Sequence, residues 1–428
     1  MVNELSRRTL LAAGLATGLV TTGVSAVRPL KPRHDTPPDV LARDEAYWRS
    51  VAAQYDVPRD VVQLENGYWG VMAKPVQAAN ERHRRMVNER SSFYARREFG
   101  DDLERIRQRV ATLLGVALEE IALTRGATEA LQLLIGGYNR LAPGDAVLYS
   151  DLDHDSMQMA MNWLPARRGV EVVRIVIPEP ATYQGLIDAY AAALDAHPRV
   201  RLILLTHVSH RTGLVLPIKE IVAMARARGV DAIVDSAHAW GQIDFRLDDL
   251  SADFVGLNLH KWMGAPLGLG VLYIRRARIP AIDVFMANEE FPSDDVRARV
   301  HTGTTNFADA LTVPDALDFQ ETLGFPAKEA RLRHLRDLWA VPLRARGGLE
   351  ILTPQDPRLY CAITSFRLPG RTSGADNVAI AKDLLDRFGI FTVHRTGAAS
   401  GACIRVTPAV FTSSDDIQRL VLALEQIA

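Results

Sequence analysis

The chain has 428 residues, with 50 Lys+Arg against 51 Asp+Glu, a formal net charge of −1 and 48% hydrophobic residues. That length suits one large enzyme body or two to three domains, and the hydrophobic share excludes a disordered chain. With no basic excess, nucleic acid is not expected as a partner. Two cysteines, Cys361 and Cys403, can build neither a disulfide framework nor a cysteine-rich zinc site.

The N-terminus reads as an export signal. Arg7-Arg8 precedes a mildly apolar run, Leu11–Val20, and Val24-Ser25-Ala26 supplies a small-residue cleavage pattern. Paired arginines before so weak an apolar centre resemble a twin-arginine (Tat) signal. Residues 1–26 are therefore expected to be a Tat-type signal peptide. The Tat translocase is then a partner during export, and the location is periplasmic or otherwise extracytoplasmic. A plain N-terminal tail, or an uncleaved anchor on a run short for a bilayer, stays open. Residues 27–40, with Pro29, Pro32, Pro37 and Pro38, read as a linker.

From about residue 118, short apolar runs alternate with helical patterns. Ile121–Thr124, Ala146–Ser150, Val172–Ile177, Leu202–Thr206, Ala232–Asp235, Phe254–Leu257 and Leu269–Ile274 fit strands buried on both faces. Ile218–Arg228 is one intervening helix, with Ile218, Ile221, Val222 and Ala225 on one face. The alternation predicts an α/β domain. The last two runs lack a helix between them, which suggests an antiparallel strand. After about residue 315 come a long charged helix, Ala327–Arg344, a strand at Ala362–Leu368, a helix at Asn377–Phe388, strands near Ile390–Val393 and Cys403–Val406, and a closing helix at Asp415–Ile427. Ser413 or Ser414 is its N-cap. The expected division is 41–315 for an N-terminal segment and large domain, and 316–428 for a smaller α+β domain.

Three elements carry chemistry. Asp235 ends an apolar run, where ligands of open α/β sheets sit, and an acid there can pair with a protonated ring nitrogen. Taken alone, it could equally cap the next turn. Lys261, in Asn258-Leu259-His260-Lys261-Trp262, directly follows the next run; a desolvated ammonium there needs a partner or a reaction, and its amine forms Schiff bases with carbonyl compounds. Alone, it could be an ordinary loop lysine. Thr124-Arg125-Gly126-Ala127-Thr128-Glu129 joins a strand to a helix, so the turn at Gly126-Ala127 presents unpaired N–H groups to an anion and Thr128 could add its hydroxyl to a phosphate; alone, any βα turn could carry such residues. Phosphate cradle, ring-nitrogen acid and Schiff-base lysine together are what pyridoxal 5′-phosphate requires.

On Leu64-Glu65-Asn66-Gly67-Tyr68-Trp69-Gly70, the Arg125–Glu129 turn, Asp235–His238, His260-Lys261-Trp262 and Ile404-Arg405-Val406-Thr407-Pro408, the chain resembles the class V aminotransferase superfamily of pyridoxal-phosphate enzymes. Within it, the chain is most similar to isopenicillin N epimerase-like proteins. The resemblance runs from about Leu64 to the C-terminus. It implies a fold-type I architecture, with a mostly parallel seven-stranded sheet and a smaller C-terminal domain. It also implies that His154 stacks on the pyridine ring, that His238 lies beside Asp235 near the cofactor, and that His260 reaches the phosphate. Asn258 stands where many relatives have Ser. His210 stands where cysteine desulfurases usually have Asn, which leaves the ring-hydroxyl contact open. Thr304, in Gly303-Thr304-Thr305-Asn306, would reach the phosphate of a neighbouring subunit, making a homodimer with shared active sites. Arg405 would grip the substrate carboxylate, with Asn66 and Tyr68 as further substrate contacts and Trp69, Tyr94 and Arg96 as further pocket residues.

The expected function is action at the α-carbon of an amino acid or a small amino-acid-like substrate through Lys261, as an epimerase or racemase; class V aminotransferase and C–S or β-lyase activity are the alternatives. Cysteine desulfurases need a nucleophilic cysteine on the loop before the substrate arginine. Here His394–Gly401 is short and has none, and Cys403 reads as packing. Two readings from other classes stay open: a metallohydrolase built on His154, His207, His210, His238, His260 and Asp235, and a non-catalytic cofactor-binding protein.

Overall fold

The structure is a computed structural model that describes residues 29–427; the expected signal peptide lies outside the described residues. Strand β1 (Val62–Gln63) precedes the seven strands of the main sheet: β2 (Ile121–Thr124), β3 (Ala146–Ser150), β4 (Glu171–Ile175), β5 (Val200–Thr206), β6 (Asp231–Asp235), β7 (Phe254–Asn258) and β8 (Gly270–Ile274). Their order is β2-β8-β7-β6-β5-β3-β4. The strands from β4 through β7 pair in parallel, and β8 runs antiparallel to both β7 and β2. This is the mixed end that the missing helix between the last two runs suggests.

Alternation along the strands builds a core on each face. Leu148, Ile203, Leu205, Val234 and Val255 belong to one cluster, and Val147, Leu202, Leu204, Ile233 and Phe254 to the other. The helix Ile218–Arg226 buries Ile218, Ile221, Val222 and Ala225, the face its spacing marks. Strand β4 departs from the expected burial: it is the sheet edge, and Glu171 and Arg174 are exposed. Its neighbour on one side is solvent, so a run as apolar as Val172-Val173 need not be covered on both faces.

A four-stranded sheet forms from β9 (Glu350–Ile351), β10 (Thr364–Arg367), β12 (Val393–Arg395) and β13 (Cys403–Val406), in the order β12-β13-β10-β9, while β11 (Ile390–Phe391) pairs in parallel with β1. The expected strand at Ile390–Val393 is thus two short strands in different sheets. The closing helix Ser414–Ile427 starts at Ser413, whose Oγ accepts from Asp416 N at 3.1 Å. A third core, with Leu335, Trp339, Phe366, Ile404 and Leu424, lies beneath this sheet and also takes Val62 and Leu64 from the N-terminal segment. Residues 29–37 are irregular. Pro38–Leu41 forms a helical turn whose Leu41 is buried and accepts from Trp48 Nε1 at 2.7 Å.

Because β8 reverses between β7 and β2, the carboxyl end of β2 points the same way as those of β3, β5, β6 and β7. The segments after all five strands therefore meet at one edge of the sheet, where open α/β folds bind ligands.

Candidate active site

The edge opens on a cavity of about 760 Å³ lined by Gly126, Thr128, His154, His210, His238, His260, Lys261 and Arg405, with Tyr68, Arg211 and Arg395 on its walls. Its deep end is lined by Ala127, Thr206, Asp235 and Asn258. Eleven of the expected residues, with Tyr68 at the mouth, thus share one site.

The floor begins at the β2–helix turn. Gly126 has φ +153°, and a Cβ there would meet His260 Cε1 at 3.1 Å and Asn258 Oδ1 at 3.3 Å. Glycine is what lets the turn lie this close to the β7 loop. The helix Ala127–Gly137 starts immediately after it, and Asn258 Oδ1 accepts from Ala127 N at 2.7 Å. Arg125 is tied to Glu129 by its backbone N–H at 2.6 Å and by its guanidinium. His260 Nδ1 lies 2.8 Å from the carbonyl of Leu269.

Asp235 closes β6, buried, with one carboxylate oxygen accepting from Ala237 N at 2.9 Å. Beside it, Lys261 Nζ lies 3.0 Å from His238 Nε2, and Trp262 Nε1 donates to His238 Nδ1 at 3.4 Å. Burial lowers the Lys261 amine from its usual range to about 8; Asp235 opposes that shift, and Arg405 and Arg395 add to it. Burial also holds His238 and His210 well below the usual imidazole range, and His154 and His260 below it. The four rings are neutral at pH 7. His154 and His210 sit 4.6 Å apart, centre to centre.

The opposite wall is cationic. Arg405, fully buried, donates to His210 O at 2.8 Å and to Glu65 Oε1 at 2.5 Å; Arg395 lies 3.5 Å from the same Glu65 oxygen. Arg211 is paired with Asp155 at 2.5 Å. Glu65 Oε2, His210 Nδ1 and the Nε atoms of Arg395 and Arg405 are buried without a hydrogen-bond partner. Such donors and acceptors suit a polar ligand.

Apart from Tyr68 at the cavity mouth, the other expected residues sit elsewhere. Asn66 donates to Gln63 O at 3.1 Å and Thr407 O at 2.9 Å, tying the N-terminal segment to the strand after Arg405, and lines a smaller hollow behind Lys261. Tyr68 is exposed at the mouth, edge-on to Trp69. Thr304 is exposed and lies outside the cavity within one chain. Tyr94 is buried outside the cavity with its hydroxyl on Asp102 at 2.6 Å, so it is no pocket residue. His207 is buried against Phe245, its Nδ1 3.3 Å from Ser236 Oγ. Among the described residues, no three His, Cys, Asp or Glu side chains converge as a metal-holding group. Glu65, Arg395 and Trp262 carry site geometry that the motifs did not assign. The spacing of Arg395 and Arg405 could not show that β12 and β13 are antiparallel neighbours, with Arg395 opposite Cys403 and thus on the diagonal from Arg405.

The sequence pattern of the aminotransferase class-V family matches residues 73–420. The chain belongs to the class-V aminotransferase family. Its relatives include the isopenicillin N epimerase of Streptomyces clavuligerus, 31% identical over 337 residues, which span 75% of this chain and 83% of that protein. A cysteine desulfurase of Pectobacterium carotovorum is 28% identical, over 76% of this chain and 82% of its own. The solved structure of a cysteine desulfurase from Escherichia coli superposes with a TM-score of 0.74 at 21% identity, covering 89% of this chain and 98% of that one, a likeness of fold. Class-V aminotransferases are pyridoxal-phosphate enzymes, and pyridoxal 5′-phosphate is the cofactor of this chain. The site fits it: a helix N-terminus with a glycine approach, an acid at the end of β6, and a half-buried amine of lowered basicity.

Proposed function

We propose that the protein acts at the α-carbon of an amino acid or amino-acid-derived substrate, as an isopenicillin N epimerase-like epimerase or racemase. The observation that carries the reading is the placement of the Lys261 amine, 3.0 Å from His238 Nε2, in one cavity with Arg405 and with Asp235 at its deep end. When bound, pyridoxal phosphate supplies an electron-accepting ring that acidifies the substrate Cα–H. Arg405 binds the α-carboxylate with its remaining N–H groups and so orients Cα. Asp235 would keep a ring nitrogen protonated, and the N–H groups of Gly126 and Thr128 would meet the phosphate, while Asn258 Oδ1 holds the Ala127 N–H at 2.7 Å and so fixes the turn. His154 and His260 line the same cavity, where His154 would stack on the ring and His260 would reach the phosphate. As a free amine, Lys261 takes the Cα proton; epimerisation then needs a proton returned to the other face of Cα.

Two buried thiols favour this over desulfuration. Cys361 Sγ donates to Gln242 Oε1 at 2.9 Å and is pushed up to about 12 by burial, and Cys403 is raised by the same cause. The loop before Arg405 is short and anchored, with Ala399 N on Asp151 Oδ2 at 2.8 Å and Ser400 Oγ on Glu179 Oε2 at 2.9 Å. Aminotransferase and C–S or β-lyase outcomes share the first proton transfer.

The test is incubation of the purified protein with L- and D-amino acids in deuterated water. Solvent deuterium at Cα with appearance of the opposite enantiomer supports epimerisation. A keto acid, or an eliminated fragment, replaces it with one of the alternatives. No visible band with added pyridoxal phosphate, or a borohydride-fixed band that survives Lys261→Ala, overturns the reading altogether.

Two further expectations belong here. A homodimer with shared sites is supported by exposed Thr304 and by an apolar hollow of about 650 Å³ among Met159, Trp163, Val284 and Met286. Co-purified Lys261→Ala and Thr304→Ala chains would regain one intact site per mixed dimer. Export by the Tat pathway, from Arg7-Arg8, is tested by Arg7→Lys/Arg8→Lys and the N-terminus of the mature protein.

A further inference from the structure

Trp262 follows Lys261 in sequence, but its indole turns to the far side of His238. The indole Nε1–H donates to His238 Nδ1 at 3.4 Å, and Lys261 Nζ lies 3.0 Å from Nε2 of the same ring. An indole N–H carries a hydrogen and no lone pair. The nitrogen that faces it, Nδ1, is therefore the bare one, and the single proton of the neutral imidazole sits on Nε2. That proton points at Lys261. Only an unprotonated amine has a lone pair to receive it, whereas an ammonium would set N–H against N–H.

The indole is braced from behind. The Trp262 carbonyl accepts from the buried Lys328 amine, which burial lowers to about 7 and which also donates to Gln320 Oε1 at 2.6 Å. Gln320 Nε2 in turn holds the Met263 carbonyl at 3.0 Å. Gly241 packs on the Trp262 backbone so closely that a Cβ would lie 2.9 Å from its carbonyl carbon. The His238 carbonyl is bound by Gln242 Nε2 at 2.5 Å. Both partners of the Trp262–His238 contact are fixed by groups that never touch the cavity.

We propose that Trp262 is a positioning residue that sets the tautomer of His238, and through it keeps Lys261 as a free amine. The proposal rests on Lys261 being the cofactor-bearing lysine. It adds a residue whose side chain lies behind the reacting groups. Its physical role is to remove one of the two tautomers, the one in which Nδ1 carries the proton and Nε2 could accept from a lysine ammonium.

The charged and titratable groups around Lys261, His238 and Trp262 include Asp235 from β6, Glu65 from the N-terminal segment, Arg395 from β12, Arg405 from β13, His154 and His210 from the loops after β3 and β5, His260 next to Lys261, and Lys328 behind the indole. All remain when the indole N–H is removed, so the change isolates the hydrogen bond.

The experiment uses the purified chain before pyridoxal phosphate is added, with histidine-selective ¹⁵N labelling, in wild type, in Trp262→Phe and in a chain carrying the sulfur isostere of tryptophan (β-benzothienylalanine) at position 262. The isostere keeps the ring shape and loses only the N–H, so it decides the matter if Trp262→Phe does not fold. In wild type His238 shows a bare Nδ1 and a protonated Nε2. Trace acylation of Lys261, followed by peptide mass spectrometry, has its pH midpoint near 8. In the isostere the ring becomes a tautomer mixture and the midpoint moves up by about one pH unit, a roughly tenfold slower reaction below it. A protonated Nδ1 in wild type, or an isostere with unchanged ring shifts and midpoint, overturns the proposal. Failure of the cofactor reading appears separately, as no visible band when pyridoxal phosphate is added to wild type.

Discussion

Glu65 and Arg405 form a 2.5 Å ion pair across 340 residues of chain, and Arg395 lies 3.5 Å from the same carboxylate oxygen. Two guanidinium groups thus share one acid, which leaves one positive charge on the cavity wall to be matched by an incoming anion. The crowding shows in Arg395, which burial and then Arg405 lower to about 10. An amino-acid carboxylate supplies the missing charge. Arg405→Ala should weaken binding of a substrate amino acid by about 10- to 100-fold, the range for a lost charge-assisted hydrogen bond, while Arg395→Ala should cost only a fewfold. Spectral titration of the loaded enzyme measures both. Equal losses would mean that the two arginines bind the carboxylate jointly.

The pH dependence follows from Lys261. Its folded value, about 8, lies below the ordinary lysine value of 10.5. Between these two pH values the unfolded chain binds more protons than the folded one, so this group makes stability rise with pH there. Below pH 8 the amine is protonated in both states and the penalty of the buried charge is fully present. Capture of pyridoxal phosphate by the free amine should rise about tenfold per pH unit up to pH 8 and flatten above it. Stopped-flow absorbance over pH 6–10 reads this directly. A flat profile would contradict the assignment.

Gly126 permits a conformation that a side chain resists, and a Cβ there presses on His260 and Asn258. Gly126→Ala should raise the Kd for pyridoxal phosphate at least about tenfold, near 1.4 kcal/mol. The main sheet should keep its cooperative unfolding, because the turn lies at the sheet edge. Absorbance titration and denaturant melting separate the two effects.

The thiols give a prediction with the opposite sign. Cys403 Sγ, at the start of β13, is 3.6 Å from the Arg211 carbonyl on the loop after β5 and lines no part of the cavity. Cys403→Ala should retain turnover at a cost of about 1 kcal/mol in stability. The wild-type protein should release no sulfide from L-cysteine above the rate of free pyridoxal phosphate. Sulfide release abolished by Cys403→Ala would restore the desulfurase reading.

Much of this site was legible because its residues follow strands. An apolar run ending in Asp235, and another, Phe254–Leu257, with Lys261 four residues beyond it, already place both groups at a sheet edge, whatever the order of the strands. The β4 edge was not legible, since Val172-Val173 is as apolar as a central strand. The partners of Arg405 were hidden for a different reason. Glu65 arrives from an N-terminal segment that docks on the small domain through β1 and β11, and nothing in the local pattern announces a contact made from so far along the chain. The role of Trp262 was hidden too. Tautomer control depends on which ring nitrogen faces which donor, and that exists only in three dimensions.

The helix Phe325–Arg346 contributes Leu332 to the large core and Leu335 and Trp339 to the small one. It also carries buried Arg331, which holds the Ala42 and Thr412 carbonyls, so it fastens the first helical turns to the last. A rod embedded in both hydrophobic bodies makes them one thermal unit. On heating, calorimetry should trace a single endotherm, because neither body can melt without stripping the other of the side chains that seal it.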